Sequence, residues 1–236
     1  AGSGIGRAIA HGFAKEGATS VIAELRSDAG ENVAEEIKKE GGKALAIKTD
    51  VANREEVLAM VKKVKDECGK VDILVNNAAL TTMSFNHFHE LKPEEWEREI
   101  AVDWIGVLNC CHAVIPHMIE QKWGKIVSIT SDASKISTPR QSVYSGNKAA
   151  IAGFSRTIAG ELARFGINVN CVAPGTVNTP ATQGLGGIIE KMIKGVPKRR
   201  LAEPEEIAGV VMFLCSKEAD YMTGQHISVS GGMTMH

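Results

Sequence analysis

No excess of charge of either sign marks this 236-residue chain: 27 Lys and Arg stand against 28 Asp and Glu, a net charge of −1. Such a balance leaves no electrostatic footprint for nucleic acid or for an anionic membrane surface. Cysteine is sparse. Its five positions, 68, 110, 111, 171 and 215, form no CxxC pair, and an odd number argues against a disulfide framework. That usage suits a reducing, cytoplasmic setting, and adjacent Cys110 and Cys111 read as two buried thiols on a helix rather than a strained vicinal bridge. The seven histidines show no HExxH spacing, His87 and His89 in NHFHE read as loop residues, and no metal site is expected. No charged-then-apolar leader opens the chain, and no apolar run is long enough to span a bilayer; the nearest, AVDWIGVLNCCHAVIPHMI, is interrupted by Asp103, Asn109 and His112. Repeats and low-complexity segments are absent, and aromatics make up only 5%. The 44% of hydrophobic residues is ample for one well-buried core, so a single domain over residues 1–236 is expected.

Short Val- and Ile-rich runs alternate with longer stretches of helical period. The runs are TSVIA (19–23), ALAIK (44–48), DILVN (72–76), KIVSI (125–129), INVNCVA (167–173) and HISVS (226–230). Between them lie AEEIKKEGG, EEVLAMVKKVKDECG, one long helix over about 93–121, another over about 141–164, and PEEIAGVVMFLCS. This alternation predicts an α/β fold: a doubly wound parallel sheet covered by helices on both faces, three layers in all. Residues 180–200 have no clear period and read as a loop or lid over a substrate. Ligands of such sheets bind at the carboxyl ends of the strands, so residues just after strands carry the most information.

The chain opens with AGSGIGRAIAHGFAKEG. Gly2, Gly4 and Gly6 lead into a helical pattern, and glycines let backbone approach a pyrophosphate while the helix N-terminus offers unpaired N–H groups and a favourable dipole. The spacing is not GxGxxG, and a plain glycine-rich turn is the alternative. TSVIAELRSD ends its strand at Glu24, whose carboxylate can accept both ribose hydroxyls of NAD and repel a 2′-phosphate; Arg26, two residues on, could bind that phosphate instead. NAD is expected in preference to NADP. Asp50 either faces a ligand or simply precedes a turn capped by Asn53. In SITSDASKISTPRQSVYSGNKAAIAGF, Tyr144 and Lys148 are one helical turn apart, with Ser131 thirteen residues before the tyrosine. A free phenol ionises near about 10, and an adjacent ammonium stabilises phenolate, which poises Tyr144 as acid for ketone reduction and base for alcohol oxidation. Ser131 can hydrogen-bond the carbonyl or developing alkoxide.

Taken together, GSGIG, NNAA (76–79), Ser131 with Tyr144-Ser-Gly-Asn-Lys148, and NVNCVAPGTVNTPA resemble the short-chain dehydrogenase/reductase family over the whole chain. The resemblance implies an NAD(P)-binding Rossmann domain that interconverts a secondary alcohol and a ketone. It places Ser3, Gly4, Ile5 and Gly6 at the pyrophosphate, Asp50 and Val51 at the adenine, Asn77 and Ala78 along the cofactor with Asn76 tying strand ends, and Tyr144 and Lys148 against both cofactor and substrate. It sets Pro174, Gly175 and Val177 at the nicotinamide and Thr179 at the carboxamide or pyrophosphate. In the family pattern a Thr-Gly pair and a first strand come before Ala1, so that strand is expected to be missing from the numbered chain. Ala79 stands where glycine is usual. Asp103 replaces the asparagine that joins the family's Ser–Tyr–Lys set and helps hold a proton-relaying water; aspartate, nearly the same shape, could hold that water while its charge beside Lys148 stabilises the ammonium and blunts its pull on Tyr144, the alternative being a helix-interior acid paired elsewhere.

Substrate shape is expected to be set by residues 79–91, by SKISTPRQS and by the 180–200 segment, where Leu185, Ile188, Ile189 and Met192 mix with Lys191, Lys194, Lys198, Arg199 and Arg200. An apolar wall rimmed by basic residues suits an acyl thioester on a phosphorylated carrier, and a solvated helix end explains the same residues equally well. ITSDASKI and SVSGGMTM are similar to 2-hydroxycyclohexanecarboxyl-CoA dehydrogenase within the family, and the 3-oxoacyl-carrier-protein reductase group also fits. The alternatives are a dehydrogenase of a free secondary alcohol, polyol or sugar, and a weakly active dinucleotide-binding scaffold. The resemblance also implies a dimer or tetramer of identical chains, built on the two long helices and the last strand, although burial within the chain explains the apolar helix 101–119 equally well.

Overall fold

Each of the six apolar runs folds as a parallel strand, and the computed structural model, which describes residues 1–80, 86–184 and 186–235, sets helices against both faces of them. The first half runs α1 (Gly4–Lys15), β1 (Thr19–Glu24), α2 (Ser27–Lys39), β2 (Lys43–Lys48), α3 (Arg54–Cys68), β3 (Ile73–Asn76), α4 (Pro93–Ile100) and α5 (Gly106–Gln121). The second runs β4 (Gly124–Ile129), α6 (Ser142–Leu162), β5 (Ile167–Pro174), α7 (Pro180–Gln183), α8 (Ile188–Gly195), α9 (Pro204–Cys215) and β6 (His226–Val229).

Residues alternate across the strands, so the central strands feed two cores. Ile126, Val169 and Cys171 face α3, α5 and α6 through Val57, Val61, Cys111, Val114, Ile151 and Leu162. Val127, Ile129 and Val172 face α1 and α9 through Ala8, Ile9, Ile207, Val211 and Leu214. A third cluster, Ile22 with Val33, Ala34 and Ile37, holds α2 on β1. The result is the expected three-layer α/β/α domain.

The described strands pair in two sheets, β1 with β2, and β3-β4-β5-β6, all parallel. The opening residues link the carboxyl ends of the two sheets. Ala1 N donates to Ala23 O at 3.0 Å, while a Cβ on Gly6 would lie 2.6 Å from Asn77 Nδ2 at the end of β3.

Two elements differ from their sequence reading. The long helix over 93–121 is interrupted: α4 and α5 flank a π-helical turn, Ala101–Ile105, which rotates the face on which Asp103 lies. By length and composition Pro93–Gln121 would suffice to cross a bilayer, contrary to expectation, yet Val107, Cys110, Cys111, Val114 and Met118 on it are buried against α3 and the sheet. Burial raises the Cys110 and Cys111 thiols to about 11 and about 12, so both are inert packing groups. The 180–200 segment, read as a loop, forms α7 and α8. Of the residues named for substrate shape, 81–85 and Leu185, with the side chains of Ile188 and Lys191, lie outside the described residues.

One buried cation sits near the amino end of β4, away from the carboxyl ends of the strands. Lys125, 1% exposed on β4, donates to Asn168 Oδ1 at 2.9 Å and Asp220 Oδ1 at 2.5 Å. Asp220→Ala strands that ammonium with one partner, and should cost about 1–3 kcal/mol in denaturant unfolding. Lys125→Met removes the charge and leaves Asp220 facing water, so it should cost less than Asp220→Ala in the same measurement.

Candidate active site

At the carboxyl end of β4, three elements deliver a serine, a tyrosine–lysine pair and an aspartate. Ser131 caps a 3-10 turn, Asp132–Ser134, its Oγ accepting the Ala133 N–H at 3.2 Å, which leaves the hydroxyl proton to be donated elsewhere. Beneath it, Thr130 Oγ1 reaches Val172 O at 3.0 Å and His226 Nε2 at 2.8 Å, fixing where β4 ends. The turn packs on α6, where Tyr144 and Lys148 share a face and Lys148 Nζ lies 5.4 Å from the Tyr144 ring centroid.

Lys148 is 3% exposed. Its Nζ donates to Ile129 O at 3.3 Å and stands 3.3 Å from Asp103 Oδ2, at an angle that makes this contact coulombic rather than a hydrogen bond. Asp103 is fully buried, with Oδ1 accepting the Leu80 N–H at 2.8 Å. The aspartate thus pairs with the lysine, as its place in the sequence implied, and also ties the segment after β3 to the π turn. The sequence reading missed Glu99, one turn before Asp103, whose buried Oε1 has no hydrogen-bond partner. The four-residue spacing Glu99–Asp103 was the available signal. It also missed Asp132 and Asn147, both buried, with Asp132 Oδ1 and Oδ2 and Asn147 Nδ2 unpartnered.

The opening loop fits a dinucleotide pyrophosphate. Helix α1 starts with no side-chain cap and no acidic residue in its first turn, so the N–H groups at Gly4, Ile5 and Gly6 face an open end. Gly4 has φ 53°, and a Cβ there would lie 3.2 Å from Thr179 Cγ2. A Cβ on Gly6 would strike Asn77. Only glycine satisfies both constraints. Thr179 meets this loop from the β5–α7 connection, where it caps α7 together with Thr182. Of the neighbours read as nicotinamide-facing, Gly175 lies against Ser230, while the Val177 side chain is 5% exposed and packed with α9, so it is a core group.

On the other side of the loop, Asp50 Oδ1 accepts the Ala52 N–H at 2.9 Å, and Asn53 caps α3 through the Glu55 and Glu56 N–H groups, as the turn reading required. Val51 packs on Gly106 and its carbonyl accepts from Asn109 Nδ2 at 2.9 Å. Asn76 Nδ2 joins β3 to β4 through Ser128 Oγ at 3.1 Å. Ala78 is exposed, and Ala79 has no positive φ, so alanine in the family's glycine position carries no strain. Glu24 is already engaged. Burial would raise its carboxyl, and the backbone N–H groups of Gly2 and Arg26 act against that and lower it. Its Oε2 accepts from Gly2 N at 2.8 Å, and the exposed Arg26 guanidinium stands 3.8 Å from Oε1.

A family model described as Enoyl-(Acyl carrier protein) reductase matches residues 1–234. The chain is 40% identical over its full length to a 3-oxoacyl-[acyl-carrier-protein] reductase FabG of Staphylococcus epidermidis, covering 96% of it, and 39% identical to a 3-oxoacyl-[acyl-carrier-protein] reductase of Synechocystis, covering 94%. A crystal structure of 3-oxoacyl-[acyl-carrier protein] reductase from Brucella melitensis superimposes with a TM-score of 0.93 at 35% identity, over all of this chain and 89% of the other. These reductases are NADPH-dependent, which overturns the expectation of NAD drawn from Glu24. The physical reason lies in the loop: a Glu24 carboxylate oxygen accepts the Gly2 backbone N–H, and the exposed Arg26 guanidinium beside it is the charge that faces outward. The match across the whole chain, in sequence and in fold, makes it a member of the short-chain dehydrogenase/reductase family of oxidoreductases.

Proposed function

We propose that the chain reduces the ketone of a 3-oxoacyl thioester to the hydroxyl, with NADPH as reductant and Tyr144 as proton donor. The observation that carries this reading is the buried Lys148 ammonium 5.4 Å from the Tyr144 ring, beside the carboxyl end of β4. NADPH, when bound, supplies the hydride taken up by the carbonyl carbon. Ser131 donates its hydroxyl proton in a hydrogen bond to the carbonyl oxygen, and Tyr144 transfers the phenolic proton to that oxygen as it gains charge. Lys148 stabilises the phenolate left behind, and Asp103 with Ile129 O holds the ammonium in place. Carbon gains a hydride, oxygen gains a proton, and the tyrosine is reprotonated from solvent.

The first-turn N–H groups of α1 hold the pyrophosphate, with Ser3, Gly4, Ile5 and Gly6 as its cradle. Asp50 and Val51 border the adenine, Asn77 and Ala78 line the cofactor, and Pro174, Gly175, Val177 and Thr179 border the nicotinamide side. Arg26, exposed at the start of α2, takes the 2′-phosphate. The acyl thioester is preferred to a free alcohol because the similar proteins are named as acyl-carrier reductases. Among the basic residues after β5, Arg200 is committed to Glu206 at 2.6 and 2.7 Å, and Arg199 turns onto the Lys194 carbonyl. Lys194 and Lys198 are exposed and are placed at the rim for a carrier phosphate. A cytoplasmic homo-oligomer, dimer or tetramer, belongs to the same reading.

Tyr144→Phe should lower kcat for 3-oxoacyl thioester reduction by about 10²–10⁴-fold while leaving NADPH binding, read by nucleotide fluorescence, unchanged. Retention of most of the turnover would remove the assigned acid. Arg26→Ala should raise the KM for NADPH about tenfold or more and leave that for NADH unaltered, because only the former has a phosphate to lose. Gly6→Ala, whose methyl meets Asn77, should weaken binding of both nucleotides together.

A further inference from the structure

Two carboxyl groups share the buried side of a single ammonium. Glu99 is half-buried on α4, Asp103 is fully buried one turn later in the π-helical turn, and Lys148 approaches from α6. The ammonium is committed to Asp103 at 3.3 Å, and Glu99 Oε1 is turned away from water with nothing to accept from. With every group charged the site carries one surplus negative charge in a place with little water to screen it, and a single added proton cancels that surplus. The geometry decides where the proton goes: Asp103 already has the Leu80 N–H and the ammonium, while Glu99 has neither.

We infer that Glu99 and Asp103 form a coupled pair holding one exchangeable proton behind Lys148, and that this proton sets the pH range over which Tyr144 acts as donor. The inference rests on the assignment of Tyr144 above. Glu99 touches no reacting atom. It is a positioning residue that acts through the charge around Lys148. Burial lifts its carboxyl to about 7, Asp103 pushes in the same direction, and Lys148 opposes. The groups facing it are Asp103 from the π turn and Lys148 from α6, with Tyr144 one turn from the lysine; on its own helix Glu95 and Arg98 are exposed, with Glu95 Oε2 taken by the Lys92 N–H.

On the acid side of neutrality the proton sits on Glu99, and the Asp103–Lys148 pair is electrically balanced. On the alkaline side that proton leaves to solvent, the site gains a negative charge, and loss of a second proton, from Tyr144, is opposed. Glu99 therefore extends the reductive, proton-donating state of Tyr144 to higher pH. It also makes stability pH-dependent. Between 4.5 and about 7 the folded chain keeps a proton that the unfolded chain has released, so this group's contribution falls as pH rises across that window.

The decisive variant is Glu99→Gln, which fixes the neutral state. Its alkaline limb of kcat/KM for ketone reduction should move to lower pH by about half to one unit, with Glu99→Asp partly restoring the wild-type position. The cofactor-free variant should melt at the same temperature as wild type near pH 4.5 and above it beyond about pH 7. In the unmodified protein carrying carbon-labelled glutamate carboxyls, one should titrate near 7, and Asp103→Asn should lower its midpoint. A pH profile and melting curve unmoved by Glu99→Gln, or no glutamate titrating well above 4.5, would overturn the pair. An active Tyr144→Phe variant would instead overturn the donor, and leaves the titration and melting results to stand on their own.

Discussion

A single buried ammonium organises the carboxyl end of β4. Lys148 is 3% exposed, and taking such a charge out of water is expensive unless something nearby answers it. Here the Ile129 carbonyl and the Asp103 carboxylate answer it, and each comes from a different element. The strand, the π turn and α6 must therefore meet at one point for the charge to be tolerated at all. Once they meet, Tyr144 is held over that cation and Ser131 sits two residues past the carbonyl that anchors it. A buried ion pair of this kind is weak evidence for stability. It is a direct account of why the phenol faces a positive charge.

The dinucleotide side follows a different constraint, close approach. Gly4 in the left-handed region and Gly6 against Asn77 let the first turn of α1 sit in a narrow space between the ends of β1 and β3. Thr179, from the far end of β5, closes on the same loop. The glycines thus serve packing and N–H exposure at once, and neither function could be moved to another residue type. Glu24 shows how the same crowding redirects a side chain. Its carboxylate is drawn into the loop by backbone N–H groups, and Arg26 is left as the outward-facing charge.

Strand positions were legible to within a residue or two because each is a short β-branched run bounded by polar or glycine residues, and because Val127 and Ile126 must point to opposite faces. The Tyr144–Lys148 spacing was legible because a helix places residues four apart on one face. The π turn was not. AVDWIG continues an apolar helical pattern without a break, and nothing local marks the extra residue that turns Asp103 inward. Helices α7 and α8 escaped for the opposite reason: Gly184, Gly186, Gly187 and Gly195 dilute the period on which helix recognition depends.

By itself, the order of residues determined the fold class, the glycine-rich helix start, and a tyrosine and lysine one turn apart, since all three depend on neighbours in the chain. Tertiary structure alone decided that Glu24 would be consumed by the opening loop, that Val177 would be buried under α9, and that Glu99, Asp103 and Lys148 would crowd one dry site. Those outcomes depend on distances between segments remote in sequence, and a charge or a methyl group acquires its role only when something from another element arrives within a few ångströms of it.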